Sequence, residues 1–391
     1  MCVVVRKQKD MSSVSGESLR EYAGIGAHQS RRDRLVIRRA ERFDEDAARS
    51  LFAVRRQAEE ATSTDATGPN LENTGRAVWL AFDGDRAVGM TSVQERRLRV
   101  GHEHHRIAYW TGLFIDPAYR SVFIYPQLIL AMFAGLRVMG IHRLYAAVRR
   151  QQIAEAHLKI GFKKIGDMAV LAKPVRPALL FAKYKRFVRR DGGQRLLRAL
   201  CSVPDAAVAW GIRVQGPRAD ASWEVIEIPW ISDEVADLAR LYEQGYAGQT
   251  TQTWSIESLR ARYAEPGSEY RLLGVRHEGR LHAAAIIRMV ERAEGIRAAV
   301  IMDLIHEPNS NRAAKMALAE VERLALASGC EGVLLLDGLS CDDACLVRSR
   351  AYLKSPEKYS LLMWTDRGTD PLQFPQDLRS WRFAFGDHDT F

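Results

Sequence analysis

Hydrophobic and polar positions follow the same order twice along the chain. In each half a short strand pattern precedes an amphipathic helix, a strand–turn–strand unit, and a long strand that ends in an acidic residue and a proline. A helix closed by glycine and a further strand come next. The landmarks Leu35, Gly84, Pro117 and Gly140 recur at Val225, Gly279, Pro308 and Gly329, at offsets of 190, 195, 191 and 189 residues. An offset this constant predicts a duplicated domain.

The repeated order also predicts the fold class. Each half is expected to contain β, α, a meander of three strands, α, β, α and β. This describes an α+β fold of two tandem domains, each with a mixed, mostly antiparallel sheet and flanking helices. Trp381, Phe383 and Phe385 near the end of the chain predict a docked segment. The predicted organisation is a flexible N-terminal tail (1–33), a first domain (34–174), a basic amphipathic linker (175–220), a second domain (221–366) and a docked C-terminal tail (367–391).

Composition places the chain among folded globular proteins. Of its 391 residues 47% are hydrophobic and 27% are charged, which excludes collagen, coiled coils and wholesale disorder. The five cysteines form no C-x-x-C pair, so we expect a reducing compartment and no zinc ribbon. The longest apolar stretch, Phe123–Leu136, has 14 residues and is too short to cross a bilayer. A segment such as Met1–Val5 is too short for a signal peptide, so the expected location is the cytoplasm.

The positive charge of the chain is concentrated in one segment. The net charge is +9, of which +8 lies between Leu171 and Leu200. An apolar stripe runs through that segment, formed by Leu180, Phe181, Tyr184, Phe187 and Val188. We favour an interdomain helix that buries Phe181 and Phe187 between the two halves. A contact with a membrane surface or with RNA is the alternative.

Two motifs in the first half resemble those of the GNAT superfamily of acyl-CoA N-acyltransferases. The segment Leu113–Arg120 (LFIDPAYR) is similar to the V-x-V-x-P-x-Y-R entry to the cofactor loop, and Ala154–Phe162 (AEAHLKIGF) is similar to the ending A-x-x-x-Y-x-x-x-G-F. The second half shares the layout and neither motif. The resemblance therefore implies a tandem GNAT arrangement over roughly residues 34 to 366, with a degenerate second half.

The resemblance implies where acyl-CoA would bind. The cofactor, acetyl-CoA or another acyl-CoA, would lie between the strand that ends at Ile115 and the strand Leu144–Val148. A helix that begins directly after a strand offers free N–H groups to a pyrophosphate. The family loop Q/R-x-x-G-x-G/A has glycines where this chain has Phe123 and Tyr125, so the alternative is that these two rings fill the site as core. The implied cofactor-binding residues are Leu113, Phe114 and Ile115 for the pantetheine amides, and Arg120, Ser121, Val122, Phe123, Ile124 and Tyr125 for the pyrophosphate.

Candidate catalytic residues follow from the same resemblance. His157 stands where the family has the tyrosine that protonates the leaving thiolate; the alternative is a solvent-facing helix histidine. The usual strand base is missing, and Glu95, or Tyr109 and Thr111 with a water, are the substitutes. The cluster His102–His105 is interpreted as a solvated turn, so no metal is expected.

The expected function is an N-acyltransferase, most simply an N-acetyltransferase, that moves an acyl group from acyl-CoA to a primary amine of a small metabolite, sugar or amino acid. The second half would complete the acceptor cleft. One alternative is a transferase of doubled GNAT fold that is fed by aminoacyl-tRNA, and another is a catalytically silent binding or scaffold protein. Nucleic acid is not an expected partner, a transmembrane segment is not expected, and weak contact with a membrane surface is left open.

Overall fold

The structure is a computed structural model, and its chain divides into two compact units. It describes residues 35–41, 44–58, 76–120, 123–184, 194–214, 222–246, 248–264, 269–292, 295–338, 341–366 and 374–388. Unit 1 takes its described residues from 35–59, 76–92 and 112–135, and unit 2 takes them from 93–111 and 136–388. These units are defined by packing, so the domain boundaries inferred from the repeat stay a prediction.

Unit 1 is an antiparallel sheet with two helices. β1 pairs with β2 from Leu35 opposite Asp83 to Arg39 opposite Trp79. Apolar side chains of α1 and of the sheet, Leu51, Leu80 and Met90 among them, form its core. The elements are β1 (Leu35–Arg39), α1 (Glu45–Ala58), β2 (Arg76–Asp83), the first part of β3 (Arg86–Val100), the end of β4 (Glu103–Ile115) and most of α2 (Ile124–Val138).

Unit 2 is built on one large mixed sheet. Its strand order is β3-β4-β5-β13-β6-β12-β11-β10-β9-β7, and β8 pairs with β3. Its further elements are β5 (Arg143–Val148), α3 (Gln151–Lys159), β6 (Lys163–Pro174), α4 (Pro177–Tyr184), α5 (Gln194–Val214), β7 (Trp223–Ile228), α6 (Val235–Gly245), β8 (Thr251–Gln252), α7 (Ile256–Tyr263), β9 (Tyr270–His277), β10 (Arg280–Glu291), β11 (Arg297–His306), α8 (Asn311–Ala327), β12 (Gly332–Leu336), α9 (Cys341–Ser349) and β13 (Leu353–Thr365).

The predicted order of elements is present in both halves. We call β1 to β6 repeat 1 and β7 to β13 repeat 2; repeat 2 has β8 and α7 in addition. Gly140 and Gly329 follow α2 and α8 with φ of +69° and +76°, a left-handed conformation that glycine adopts without strain. The predicted α+β fold of two tandem, mostly antiparallel domains is confirmed.

The last strands of the two repeats are exchanged, which the sequence pattern did not predict. β13 of repeat 2 lies between β5 and β6 and is antiparallel to both. β6 of repeat 1 pairs in turn with β12 of repeat 2, from Gly332 opposite Pro174 to Leu336 opposite Val170. Each repeat therefore completes its sheet with a strand from the other.

The helices between the repeats differ from the expectation. Phe181 on α4 is 58% exposed, so the prediction that its ring is buried between the two halves is wrong. The other ring of that prediction, Phe187, lies outside the described residues. Among the helices that the structure describes, none is long and apolar enough to cross a membrane.

Candidate active site

The parallel strands β4 and β5 of repeat 1 separate soon after they meet. In the described chain they pair at two positions, Ala108 with Leu144 and Tyr109 with Tyr145. Beyond these pairs β5 stays bonded to β13, where Ser360 lies opposite Val148. Beyond Tyr109 the described residues show no further pairing of β4 with β5, and main-chain groups at the edge of a strand can bind an amide-bearing ligand.

His157 lies on α3 beside this separation, and its ring is buried. The imidazole stacks on Trp110, with 4.1 Å between ring centroids, and Phe162 lies 5.1 Å away. Nδ1 donates to the carbonyl oxygen of Ile153 at 2.7 Å. Burial lowers the pKa of His157 to about 4, and this bond opposes the shift only in part. The solvent-facing alternative is therefore excluded, and the ring is neutral at pH 7, which weakens the case for it as the acid.

Glu95 is held in an ion pair on the sheet. Arg106 donates Nε to Oε1 at 2.5 Å and Nη2 to Oε2 at 2.7 Å. These bonds lower the pKa of Glu95, although burial opposes the shift. A carboxylate with a lowered pKa and both oxygens in hydrogen bonds is a poor base. Only the position of Glu95 on the sheet therefore supports it as the catalytic base.

Tyr109 contacts the C-terminal segment, which we define as residues 374–388. Its hydroxyl oxygen lies 2.6 Å from Nδ1 of His388, and both side chains are buried. The guanidinium of Arg96 lies 4.1 Å from the centre of the Tyr109 ring, and Arg96 also donates to the backbone oxygen of Asp387 at 2.6 Å. Thr111, two residues further along β4, is half-buried.

Asp387 brings a buried carboxylate to the same cluster. Oδ2 accepts the N–H of Ala384 at 2.8 Å, whereas Oδ1 has no hydrogen-bond partner among the residues that the structure describes. Burial raises the pKa of Asp387 to about 6, and the nearby Asp303 adds to the shift. Sequence reasoning assigned no role in chemistry to Arg96, Asp387 or His388. The available signal was polar residues that directly follow the aromatic run from Trp381 to Phe385.

The implied pantetheine and phosphate residues lie in unit 1. Leu113 and Ile115 are half-buried on β4, and Phe114 packs in the core of the unit. Asp116 accepts a bond from Arg86 at 2.6 Å and from the N–H of Ala118 at 2.9 Å, which holds the turn after the strand. Arg120 is exposed at the end of this turn, and Ser121 and Val122 lie outside the described residues.

Phe123 takes a backbone conformation that suits glycine. Its φ is +35°, and its side chain is 66% exposed. Ile124 is buried at the start of α2, while burial raises the pKa of the half-buried Tyr125 to about 12. The alternative in which Phe123 fills the site as core is therefore excluded. The loop keeps a left-handed residue at the position where the family motif has glycine.

The histidine cluster lies at the turn between β3 and β4. Gly101 has φ of +60°, and His104 Nδ1 lies 3.1 Å from the hydroxyl of Thr253. His105 Nε2 is 3.4 Å from Glu103. Over the part of the chain that the structure describes, no group of three or more His, Cys, Asp or Glu side chains is placed to hold a metal ion.

Comparison with known proteins identifies the fold. No family model and no curated protein matches the sequence. Among solved structures, Saccharomyces cerevisiae N-myristoyltransferase with bound myristoyl-CoA matches with a TM-score of 0.60 and 9% sequence identity. The match covers 91% of this chain and 85% of that chain. The chain has the GNAT fold. Another match is a GCN5-related N-acetyltransferase from Anabaena variabilis ATCC 29413, with a TM-score of 0.55 and 12% identity. A third is a conserved protein from Enterococcus faecalis V583 described as a probable N-acyltransferase, with a TM-score of 0.55 and 10% identity. Both matches cover 84% of this chain and 72% of the other chain.

The second GNAT repeat has an equivalent strand separation, and the chain itself occupies it. β11 and β12 pair from Ala298 with Gly332 to Val300 with Leu334, and the described pairing then ends. Phe383 of the C-terminal segment donates its N–H to the oxygen of Gly338 at 2.6 Å. Arg382 donates to the oxygen of Leu304 on β11 at 2.8 Å and is paired with Asp303. The C-terminal segment therefore binds both strands of repeat 2 where they separate.

Gly338 and His306 complete this closure. A Cβ at Gly338 would lie 2.2 Å from the oxygen of Phe383, so only glycine allows the segment to approach this closely. At the end of β11, His306 Nε2 lies 2.5 Å from Asp343 Oδ1 on α9. Burial, the largest single effect, lowers the pKa of His306, but the hydrogen bond to Asp343, the charge of Asp343 and the bond to the Glu307 oxygen together raise it, and the net shift is upward. In repeat 2, side chains and the C-terminal segment thus lie where β11 and β12 separate.

Proposed function

We propose that the protein is an acyl-CoA-dependent N-acyltransferase in which repeat 1 binds acyl-CoA and transfers its acyl group to a primary amine. The observation that carries the proposal is the separation of β4 from β5 after Tyr109 and Tyr145 in a chain of GNAT fold. Proteins of that fold in the comparison are described as N-acetyltransferase, probable N-acyltransferase and N-myristoyltransferase. An acetyl group and a small amine acceptor are the simplest substrates, and the acyl length is left to experiment.

Two local features support binding of the cofactor to repeat 1. Leu113 and Ile115 are half-buried residues of β4, and hydrogen bonds from their backbone to an amide-bearing arm would not depend on side-chain identity. α2 begins at Ile124, eight residues after Asp116, and the N–H groups of its first turn suit a pyrophosphate. Pro126 in that turn lacks an N–H and favours the start of a helix, so Ile124 and Tyr125 supply the donors.

Tyr109 and His388 are the pair that we propose for proton transfer. The amine nitrogen attacks the thioester carbonyl carbon and forms the C–N bond, and the C–S bond breaks with its electron pair on sulfur. The amine proton passes to the Tyr109 oxygen while the phenol proton moves to Nδ1 of His388, 2.6 Å away. The same pair then returns a proton to the thiolate, so that the products are an amide and CoA. His157 is a weaker candidate for this role because a pKa of about 4 makes its imidazole a poor proton acceptor.

Variants of this pair test the proposed chemistry. CoA release would be measured with a thiol reagent, for acetyl-CoA and longer acyl-CoAs against a panel of primary amines. Tyr109→Phe and His388→Gln should each lower kcat by about 100-fold with little change in KM for acyl-CoA, and the double variant should be no slower than either alone. Tyr352→Phe removes the hydroxyl of another buried tyrosine, which lies in repeat 2 and contacts Lys173 of β6, and it should keep the parental rate.

Two outcomes would count against the proposal. Parental turnover in Tyr109→Phe would remove the pair from the chemistry while leaving the acyltransferase assignment in place. Failure of the parent to bind CoA or any acyl-CoA in calorimetry would instead favour the catalytically silent binding or scaffold protein. The domain boundaries at residues 174 and 221 belong to the same proposal, because they assign the cofactor to the first repeat.

A further inference from the structure

Helix α5 has two apolar faces, and one of them is packed. Ile212 is buried in the core beneath α8, and Val208, one turn earlier, packs against the same core. The carboxylate of Asp205 accepts the N–H of Ala178 at 2.8 Å and of Leu179 at 3.3 Å. It therefore caps the N-terminus of α4 and joins the two helices. This side of α5 is therefore packed against the rest of the fold.

The opposite face of α5 is apolar and exposed. Leu200, Val203, Trp210 and Val214 recur at intervals of three, seven and four residues, which places them along one side of a helix. Their exposed fractions lie between 60% and 75%. On α4, Phe181 and Tyr184 are 58% and 60% exposed and lie one turn apart. We call these six side chains the exposed helix face. Single exposed apolar residues are ordinary, whereas a stripe on two packed helices indicates an interaction surface.

The sequence of the region that contains the exposed helix face has a surplus of positive charge. The sequences of α4 and α5 contain one acidic residue, Asp205, and it is buried as the cap of α4. Lys183 is engaged with Glu331 at 2.8 Å, so it does not contribute to the surplus. By sequence the two helices also contain Arg195, Arg198 and Arg213, and the segment between them contains Lys185, Arg186, Arg189 and Arg190 against Asp191.

We propose that the exposed helix face binds the surface of membranes rich in anionic phospholipid. Aromatic and aliphatic side chains beside arginines are the composition of a helix that lies in the lipid interface. Anionic headgroups attract cations near the membrane surface, which complements the surplus charge of this region. A second copy of the chain would bring two positive faces together, and Pro204 in the middle of α5 is unfavourable for a regular helix pair. An RNA would leave Leu200, Val203 and Val214 exposed to water.

The test is co-flotation of the full-length protein with lipid vesicles. Vesicles of phosphatidylcholine alone are compared with vesicles of equal parts phosphatidylcholine and phosphatidylglycerol. The triple variant Leu200→Ser, Val203→Ser, Trp210→Ser should lose binding to the anionic vesicles by about 100-fold or more, because the bilayer no longer takes up apolar surface. It should melt like the parent, since all three side chains are already exposed. A matched control, Val36→Ser, Val138→Ser, Ile231→Ser, changes three exposed apolar residues elsewhere and should bind like the parent.

Salt and oligomeric state decide the remaining outcomes. Parental binding should weaken as salt rises from about 0.05 M to about 0.5 M, because the attraction to headgroups is screened. Equal binding of parent and triple variant, or equal binding to neutral and anionic vesicles, would overturn the proposal. A parent that does not bind vesicles but is a dimer, which the triple variant makes monomeric, would assign the face to a second copy. None of these readouts depends on acyl transfer.

Discussion

Asp387 shows how burial of one carboxylate can make stability depend on pH. Burial raises its pKa to about 6, and the groups that act on it electrostatically are Asp303, Arg382 and Arg96. A folded-state pKa above the unfolded value of about 3.9 contributes stability that is complete below pH 4 and is lost as pH rises through 6. The ionised Asp387 therefore weakens the docking of the C-terminal segment at neutral pH.

Replacement of this carboxylate by an amide should remove that pH dependence. Asp387→Asn keeps an oxygen for the Ala384 N–H and cannot ionise, so its free energy of unfolding should exceed that of the parent by on the order of 2 kcal/mol at pH 8 and be similar at pH 4. Urea denaturation at the two pH values measures the difference. Asp377→Asn, an exposed aspartate of the same segment, is the control and should show no pH-dependent gain. A variant less stable than the parent at pH 8 would show that the charge of Asp387 is needed.

At the start of helix α2, the backbone of Phe123 has a conformation that does not suit a residue with a side chain. A non-glycine residue in the left-handed region costs about 1 to 3 kcal/mol, and Phe123 has φ of +35°. Phe123→Gly should therefore stabilise the protein by about 1 kcal/mol or more and leave α2 intact. Phe123→Ala removes the same ring and keeps the strain, so the difference between the two variants in thermal unfolding isolates the backbone effect. No gain of Gly over Ala would contradict the strain.

Periodicity predicted the existence of strands and helices better than their partners. The order of elements and the glycines after α2 and α8 could be read from the sequence, because alternation and left-handed caps are local. The exchange of β6 and β13 could not, because their pairing joins residues such as Ser360 and Asp167 that are far apart in the chain. An apolar stripe likewise shows that a face is apolar without showing what covers it, which is why Phe181 was misassigned.

The candidate site was predictable to a similar extent. The motifs at Leu113–Arg120 and Ala154–Phe162 located a strand end and a helix that carry candidate residues. The contact of Tyr109 with His388 spans 279 residues and follows only from the docking of the C-terminal segment. The burial of His157 depends on Trp110, which lies on strand β4, so the sequence of helix α3 alone could not predict it.

At the scale of the whole molecule, the two repeats have the same layout and different capacity for a ligand. In repeat 2 the C-terminal segment binds Gly338 and Leu304, and the pair of His306 with Asp343 closes the end of β11. A ligand there would have to displace the buried Arg382 from Asp303 and leave the carboxylate unpaired, which is strongly unfavourable. The strand separation of repeat 2 is thus closed by the chain itself, and the cofactor site is proposed for repeat 1 alone.

We therefore expect the full-length protein to bind one CoA per chain. Isothermal titration with CoA gives the stoichiometry, and amide hydrogen exchange gives the location. Exchange should slow on addition of CoA in residues 113–125 of repeat 1, where backbone N–H groups would bind the ligand. The matching region of repeat 2, residues 303–312, serves as the internal control, and its exchange should not change. Two CoA molecules per chain, or slowed exchange in residues 303–312, would show that the C-terminal segment leaves the second repeat open.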